Sequence, residues 1–351
     1  PMARKTALIA GAQGLVGRAL VQHLESLSEW DVIGTSRRPA LFPTRARFIG
    51  VDLTSRAECE AKLTELGAVT HVFFTAIALA PNEADKQETN LAMLVNLMDA
   101  ALGGMAGLEH VQLMEGTNWY GNHIGPYPTP AKEDDPRMMP PMFYYPQQDH
   151  LEALQKGRDW TWSALRPQGV YGFAVGNPMN HLLALATYGA ISAELGLPLR
   201  FPGKPGAYSG IYQFTEAALL ARAMVWAATT PACANDVFNV TNGDYQRWCN
   251  LWPAIADFFG VELGPIQTIR LAEMMADKEP LWARMVERHA LKDYRIDDLV
   301  NWSFADGIYS QDFDHLFNLN KIRKAGWREV VDSQEMLLRL LGDLRRMRVI
   351  P

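Results

Sequence analysis

The chain has 351 residues, of which 48% are hydrophobic and 21% are charged, and its formal net charge at pH 7 is -6. These proportions are those of an ordinary globular protein, and the negative charge argues against a nucleic-acid partner, which needs a basic face. No apolar run is as long as a membrane span, and three cysteines are too few for a disulfide framework. We therefore predict a cytoplasmic protein with neither a membrane nor a nucleic-acid partner.

The first 115 residues alternate between strand-like apolar runs and helix-like periodicity. Strands that alternate with crossover helices predict an α/β protein with a doubly wound parallel sheet of the Rossmann type. The predicted strands are 5–10, 31–35, 47–51, 70–76 and 110–114, and the predicted helices are 16–24, 56–66 and 86–102.

A proline-rich loop over 121–146 interrupts this alternation, and its acids at 133–135 are predicted to be solvated. Loops of this length inside a compact domain are usually functional or disordered. Pro146 suits the first position of a helix that continues through Leu154, because its missing N–H is not needed there. A further strand is predicted over 161–165.

The remaining sequence predicts helices near 179–194 and 214–228, a strand near 237–241, and mostly helical structure to the end. We expect two lobes. The Rossmann domain covers 2–172 with a contribution from 213–242, and the smaller, mostly helical substrate-binding lobe covers 173–212 and 243–351.

Three glycines, Gly11, Gly14 and Gly17, lie between the first strand and the first helix. Glycine allows a tight turn and a close approach of the backbone to a pyrophosphate, whose charge the helix N-terminus then faces. The alternative is a purely structural turn, since glycines also mark strand-to-helix turns without a ligand. The strand–loop–helix context favours a dinucleotide site.

The end of the second strand reads Ser36-Arg37-Arg38, where an NAD enzyme would have an acid for the ribose 2′-hydroxyl. Two guanidinium groups suit a 2′-phosphate and therefore predict NADPH. A solvated basic loop is the alternative. Asp52, after the third strand, is predicted to contact the adenine edge, although aspartate is also common in turns.

Three segments follow one another in the order known from one family of enzymes. They are Glu115-Gly116-Thr117-Asn118-Trp119-Tyr120, Met142-Phe143-Tyr144-Tyr145-Pro146-Gln147-Gln148-Asp149 and Leu165-Arg166-Pro167. This series resembles the progesterone 5β-reductase/iridoid synthase family, atypical extended short-chain dehydrogenases that reduce enones with NADPH. Further similar pieces, around 238–244, 248–252 and 278–282, extend the resemblance through most of the chain.

The resemblance implies that Tyr144 is the catalytic tyrosine and that Val170 faces the nicotinamide. A phenol at the substrate carbonyl stabilises the enolate that forms when hydride adds to the β-carbon. Aromatic packing before a helix is the alternative for Tyr144. The complete predicted cofactor site is Gly11, Gln13, Gly14, Leu15, Val16, Gly17, Ser36, Arg37, Arg38, Asp52, Leu53, Thr75, Ala76, Ile77 and Val170.

The family's lysine is missing from this chain. Its position matches Asn118, and the lysine that ordinary short-chain dehydrogenases have four residues after the tyrosine would be Gln148. A lysine lowers the pKa of a neighbouring phenol, which asparagine cannot do. We therefore predict that Tyr144 acts as a neutral donor with Asn118 in support. A changed or weakened reaction is the alternative.

The predicted substrate pocket comprises Trp119 and Tyr120 at its mouth, with core packing as their alternative, together with Met142 and Phe143. Ile77 stands where plant members of the family tend to have tryptophan, so plant-type substrates are not assumed. No cluster has metal-ligand spacing. We predict reduction of the activated C=C bond of a small hydrophobic carbonyl compound. A carbonyl reductase or sugar-nucleotide dehydrogenase, a non-catalytic NADPH sensor, and a homodimer remain open.

Overall fold

The computed structural model of the protein describes residues 4–177 and 179–351. Its strands lie close to the apolar runs of the sequence. They are β1 (Lys5–Ala10), β2 (Trp30–Ser36), β3 (Arg47–Gly50), β4 (His71–Phe74), β5 (His110–Met114), β6 (Thr161–Pro167), β7 (Val170–Tyr171), β8 (Ile211–Tyr212), β9 (Thr215–Glu216), β10 (Asp236–Val240) and β11 (Gln246–Arg247).

Seven of these strands form one sheet in the order β10-β6-β5-β4-β1-β2-β3, and its strand pairs are parallel. The predicted Rossmann-type sheet is confirmed. The strand order reverses at β1, which pairs with β2 on one side and with β4 on the other. A crevice opens at such a reversal, beyond the carboxyl ends of the strands, and this is where α/β proteins bind ligands.

The helices cover both faces of the sheet and build the C-terminal part of the chain. They are α1 (Leu15–Glu25), α2 (Arg56–Lys62), α3 (Glu83–Ala101), α4 (Tyr144–Gln155), α5 (His181–Glu194), α6 (Pro205–Ser209), α7 (Ala217–Thr229), α8 (Trp248–Phe259), α9 (Leu271–Met274), α10 (Glu279–Arg288), α11 (Ile296–Leu299), α12 (Trp302–Tyr309), α13 (Asn320–Ala325) and α14 (Ser333–Arg346).

One apolar core lies on each face of the sheet. Helices α1 and α7 close the first core around Leu20 and Leu220, and α2 and α3 close the second around Cys59 and Leu97. The segment 213–242 therefore supplies both β10 to the sheet and α7 to one of its faces.

A third core, rich in aromatic side chains, lies among the helices that follow β7. Its centre is α5, in which the residues from His181 to Ser192 are all buried. A helix buried on all sides needs apolar or small residues around its whole circumference, and α5 has them. None of the helices in the described ranges is long and apolar enough to cross a membrane. The boundaries of the two lobes remain a prediction.

Several predicted boundaries are wrong by a few residues, and two of them concern site residues. Helix α4 begins at Tyr144 rather than at Pro146, which is its third residue, so the tyrosine lies in the first turn. Strand β4 ends at Phe74, and Thr75, Ala76 and Ile77 follow it outside the strand. Both differences place predicted site residues on backbone that leaves the regular elements at the crevice edge of the sheet.

We predict that acid destabilises the fold through its buried histidines. Burial, and then the neighbouring His71, lowers the pKa of His110 to about 3. The unfolded chain takes up this proton near pH 6.5, so stability falls as the pH drops from about 6.5 towards 3, by up to about 1.4 kcal/mol per pH unit for each such histidine. Urea unfolding between pH 7 and pH 4 should show a shallower loss for His110→Gln than for the unmodified protein. An unchanged slope would contradict the prediction.

Candidate active site

The glycine loop between β1 and α1 is shaped by two steric constraints. Gly11 has a φ of +79°, and a Cβ there would lie 2.7 Å from the Cα of Ala76. A Cβ at Gly17 would collide with the carbonyl oxygen of Gly11. These two glycines are therefore needed for the packing of the loop against β4 and α1, with or without a ligand.

Gly14 is different, because packing alone does not require a glycine there. A Cβ at Gly14 would meet only the Gly11 carbonyl oxygen at 3.3 Å and the Asn177 amide at 3.7 Å. Gly14 is the N-cap of α1, and no side chain caps this helix end. The N–H groups of Leu15 and Val16 therefore start the helix without a side-chain acceptor. An open backbone at an uncapped helix N-terminus fits the pyrophosphate of a dinucleotide.

Gln13 connects this loop to the segment after β2. Its Nε2 donates to Ser36 Oγ at 3.1 Å and to the Arg38 carbonyl at 2.9 Å, and its Oε1 accepts the Leu41 N–H at 2.8 Å. The predicted cofactor residue Gln13 thus holds the backbone that carries the two arginines. This role depends on contacts across 23 to 28 positions, so the motif alone did not reveal it.

Arg37 and Arg38 are exposed at the end of β2, next to the turn that contains Asp52. Hydrogen bonds from the side chain and backbone of Thr54 lower the pKa of Asp52, and the charge of Arg37 lowers it further. The arrangement gives two positive groups and one negative group at the outer edge of the crevice. They suit a 2′-phosphate and the amino edge of an adenine, respectively.

The residues after β4 and at β7 form the inner part of the crevice. Thr75 Oγ1 donates to the Ala10 carbonyl at 2.7 Å, and the Ala76 backbone lies against Gly11. Ile77 is 37% exposed. Val170 is partly buried and pairs with Thr215 between β7 and β9. Leu53, by contrast, is buried, and its carbonyl accepts a hydrogen bond from Asn96.

Tyr144 lies beyond β5 and β6, where a reacting group is predicted. Its hydroxyl oxygen lies 3.3 Å from where a Cβ of Gly116 would stand, and the Pro167 carbonyl is beside the same position. Among the described residues this hydroxyl has no hydrogen-bond partner. Burial, and then the charge of Glu115, raises the pKa of Tyr144 above its usual value. At neutral pH the Tyr144 side chain is therefore a protonated phenol whose hydroxyl is available to donate a hydrogen bond to a ligand.

The neighbouring Tyr145 has a structural role instead. Its hydroxyl donates to the Trp119 carbonyl at 2.7 Å and accepts the Met138 N–H at 3.0 Å. Its ring packs edge-on against Trp119, with 4.7 Å between centroids. Of the two tyrosines, only Tyr144 has a hydroxyl that is available for a substrate.

A buried ion pair lies beneath these residues. Arg166 Nε donates to Glu115 Oε2 at 2.7 Å, and each side chain is 1% exposed. The guanidinium also donates to the Tyr120 hydroxyl, the Glu133 carbonyl and Gln148 Oε1 at 3.2 to 3.4 Å. Burial lowers the pKa of Arg166, but the charges of Glu115 and Tyr120 and the hydrogen bonds to both residues together leave the pKa raised. Both residues belong to the family-like segments of the sequence, but the sequence alone did not predict that they form an ion pair.

The structure packs the predicted pocket-mouth residues inside rather than at a rim. Trp119 lies under the Arg166 guanidinium, 3.5 Å from ring centroid to Cζ, and the Tyr120 hydroxyl donates to Asn239 Oδ1 at 2.6 Å. Both side chains are buried, as expected for core packing, which was the alternative interpretation of these two residues. Met142 and Phe143 are also buried, and the Phe143 ring lies 4.3 Å from that of Tyr144.

The predicted solvation of the loop acids is wrong for Glu133. Its carboxylate accepts the Asn239 N–H at 2.8 Å, and its backbone carbonyl accepts from Arg166. Burial raises the pKa of this carboxyl group, and the hydrogen bond from Asn239 opposes the increase. Glu133 therefore attaches the proline-rich loop to β10 and to the ion pair.

The sequence matches known proteins along most of its length. The family profile described as "PRISE-like Rossmann-fold domain" matches residues 49–351. The chain belongs to this family. It is 34% identical to (S)-8-oxocitronellyl enol synthase of Nepeta cataria, over 98% of this chain and 91% of that protein. It is 32% identical to 3-oxo-Delta(4,5)-steroid 5-beta-reductase of Arabidopsis thaliana, over 98% of this chain and 93% of that protein. The predicted family is confirmed.

Solved structures with the same fold include two UDP-glucose 4-epimerases. The enzyme of Thermotoga maritima has a TM-score of 0.70 at 16% identity, covering 97% of this chain and 99% of that one. The enzyme of Thermus thermophilus, a complex with NAD, has a TM-score of 0.68 at 18% identity, with the same coverage. At these identities the likeness shows the fold alone. The PRISE-family protein is an enzyme, an oxidoreductase of the short-chain dehydrogenase/reductase type.

Both positions without a lysine are neutral in this PRISE-family structure. Asn118 is half-buried in the 3-10 turn Thr117–Tyr120, and within the described ranges its side chain forms no hydrogen bond. Gln148 donates to Glu152 at 2.7 Å and accepts from Arg166. The nearby Arg166 does not replace the lysine, because its charge is already paired with Glu115.

We predict that the ion pair stabilises this PRISE-family fold strongly. Glu115→Gln should leave the Arg166 charge buried without a carboxylate and lower the free energy of unfolding by about 3–5 kcal/mol. The surface pair of Arg222 and Glu329 is a matched control with a similar Nε–O distance of 2.6 Å. Glu329→Gln should change stability by less than about 1 kcal/mol. Urea unfolding at pH 7 measures both, and equal losses would contradict the prediction.

Proposed function

We propose that this enzyme uses NADPH to reduce the activated C=C bond of an enone or enal by 1,4-hydride addition. The observation that carries the proposal is the hydroxyl of Tyr144, which lies beside Gly116 at the crevice, has no hydrogen-bond partner among the described residues and has a raised pKa. The names of two relatives are consistent with it, since one is an enol synthase and the other a reductase of an unsaturated ketosteroid.

The residues of the glycine loop would hold the cofactor. Gly14 and the first N–H groups of α1 would face the pyrophosphate, and Arg37 and Arg38 would bind a 2′-phosphate. Asp52 would lie at the adenine, while Ile77 and Val170 would be at the nicotinamide end. When bound there, the reduced nicotinamide supplies the hydride.

Tyr144 would act by donating a hydrogen bond to the substrate carbonyl oxygen. Hydride addition at the β-carbon moves negative charge to this oxygen, so a donor aimed at it stabilises the transition state. Burial and the Glu115 charge both oppose ionisation of the phenol, which keeps its proton in place. The enolate needs only such a donor while it forms, and it then takes a proton at its α-carbon from solvent to give the saturated product. The more basic alkoxide formed from a ketone must instead be protonated on its oxygen as it forms.

The substrate would be a small hydrophobic carbonyl compound. Ile77 is a partly exposed apolar side chain at the crevice, and the Phe143 ring supports that of Tyr144 from behind. Asn118 is half-buried and its amide has no partner in the part of the chain that the structure describes, so it is suited to a supporting hydrogen bond to the same oxygen. A carbonyl reductase and an NADPH sensor are the outcomes that would replace this proposal.

We predict that Tyr144→Phe lowers kcat for a cyclic enone by about 10²- to 10³-fold, as loss of an oxyanion donor does elsewhere. The affinity for NADPH should not change, because the phenol is not among the predicted cofactor contacts. Tyr145→Phe is the matched comparison. It removes hydrogen bonds to Trp119 and Met138 and should reduce stability more than turnover.

NADPH oxidation at neutral pH, with products identified by mass, measures both variants. The matching saturated ketone is assayed in parallel and should not react. Full activity of Tyr144→Phe would overturn the assigned role, and an alcohol product would identify a carbonyl reductase. Tight NADPH binding without turnover of either compound would favour the sensor.

The raised pKa of Tyr144 predicts a flat alkaline pH profile. A catalytic phenol that must ionise gains activity as the pH approaches its pKa, whereas a neutral donor loses activity only when it ionises. Because burial and Glu115 raise the pKa of Tyr144 above 10, kcat should stay constant between pH 7 and pH 9.5. Single-turnover rates at saturating NADPH test this. A rise of kcat with pH over that range would indicate a tyrosinate mechanism instead.

A further inference from the structure

The segment that follows β7 connects the sheet to the C-terminal helices and passes over the glycine loop. Gly176 in this segment has a φ of +71°, in the left-handed region that favours glycine. Its N–H donates to the Asp298 carbonyl at 2.8 Å, at α11. The backbone of Gly176 is therefore attached to the helical part of the protein.

Two side-chain contacts place this segment above the predicted phosphate positions. The guanidinium of Arg38 lies 3.2 Å from where a Cβ of Gly176 would stand. The amide nitrogen of Asn177 lies 3.7 Å from the corresponding position at Gly14. Adjacent residues thus lie at the group suited to a 2′-phosphate and at the helix end suited to a pyrophosphate.

The orientation of the Asn177 amide is fixed by a local hydrogen bond. Its Oδ1 accepts the Met179 N–H at 3.0 Å, which leaves Nδ2 as the free end of the amide. Within residues 4–177 and 179–351, Nδ2 has no hydrogen-bond acceptor. A donor with its orientation set, without a protein partner and beside an uncapped helix N-terminus suits an anionic oxygen.

The charges around Asn177 favour binding of a phosphate on the side of this residue that faces Gly14. On its other side, Asn177 lines a cleft of about 400 Å³ whose lining also includes Asp297 and Asp298. Two carboxylates disfavour a phosphate inside that cleft. The Arg38 guanidinium and the N-terminus of α1 attract one to its rim.

We propose that Asn177 is a cofactor-binding residue whose Nδ2 donates a hydrogen bond to the pyrophosphate of the dinucleotide held by the glycine loop. The inference rests on the dinucleotide site of the proposed function. It adds a contact from outside the Rossmann motif, and it makes the cofactor a bridge between the glycine loop and the segment attached to Asp298.

The test is dinucleotide binding to the full-length protein, measured by quenching of intrinsic fluorescence and without substrate. Asn177→Ala should weaken NADPH and NADH equally, by about tenfold, as expected for one hydrogen bond to a charged group. Asn177→Asp should weaken both further, because a carboxylate would face the pyrophosphate. Arg38→Ala should weaken NADPH only, which separates a 2′-phosphate contact from a pyrophosphate contact. Ser303→Ala, in the lining of the same cleft, is the matched control and should leave both affinities unchanged.

Equal affinities of Asn177→Ala and the unmodified protein for both dinucleotides would overturn this inference and leave the proposed function intact. Weakening of NADPH alone by Asn177→Ala would also overturn it, because the contact would then be to the 2′-phosphate. If the unmodified protein binds neither dinucleotide, it is the proposed function that fails. Asn177 is partly exposed in a loop, so these variants are expected to fold, which thermal unfolding checks.

Discussion

The buried contact between Arg166 and Glu115 is the constraint on which the active site depends. Burying two charges is costly, and their mutual attraction and hydrogen bonds offset that cost. Here, the bonds of the guanidinium reach the residue after β5, the turn that follows, the proline-rich loop and α4. A loop that has little regular structure of its own is thereby held at the sheet edge, and α4 is attached to it through Gln148 in the second turn. The position of Tyr144 follows from this arrangement.

The same ion pair determines the electrostatics at Tyr144. Its positive member is enclosed by Glu115, Trp119 and Tyr120, so its field at the phenol is largely cancelled. Its negative member adds to burial in raising the pKa of the phenol. A lysine at residue 118 or 148 would oppose this effect. With asparagine and glutamine there instead, nothing in the described surroundings of Tyr144 favours the tyrosinate.

The sequence was informative where function depends on local geometry. The β1–glycine–α1 unit, the arginines at the end of β2 and the tyrosine at the start of α4 are all defined by residues close together in the chain. The family resemblance then assigned the order of the site segments. What could not be predicted depends on contacts between distant residues. Gln13 reaches the loop after β2, Glu133 bonds to β10 across 106 positions, and Trp119 packs against a guanidinium 47 positions later. Periodicity and motif spacing contain no information about such pairs.

The absence of a lysine at residue 118 affects the charge of the site and not its shape. Residue 118 lies in a 3-10 turn whose shape is fixed by backbone hydrogen bonds from Trp119 to Gly116 and from Gly121 to Asn118. The neighbouring Trp119 is held by Arg166 and Tyr145. None of these contacts uses the side chain of residue 118, so its identity changes the charge of the site and not its shape. A site that keeps its geometry while losing a cation still provides a directed hydrogen bond, but it no longer provides a field that assists proton transfer. That change should slow the reduction of a ketone, which forms an alkoxide, more than the 1,4-reduction of an enone, which forms an enolate.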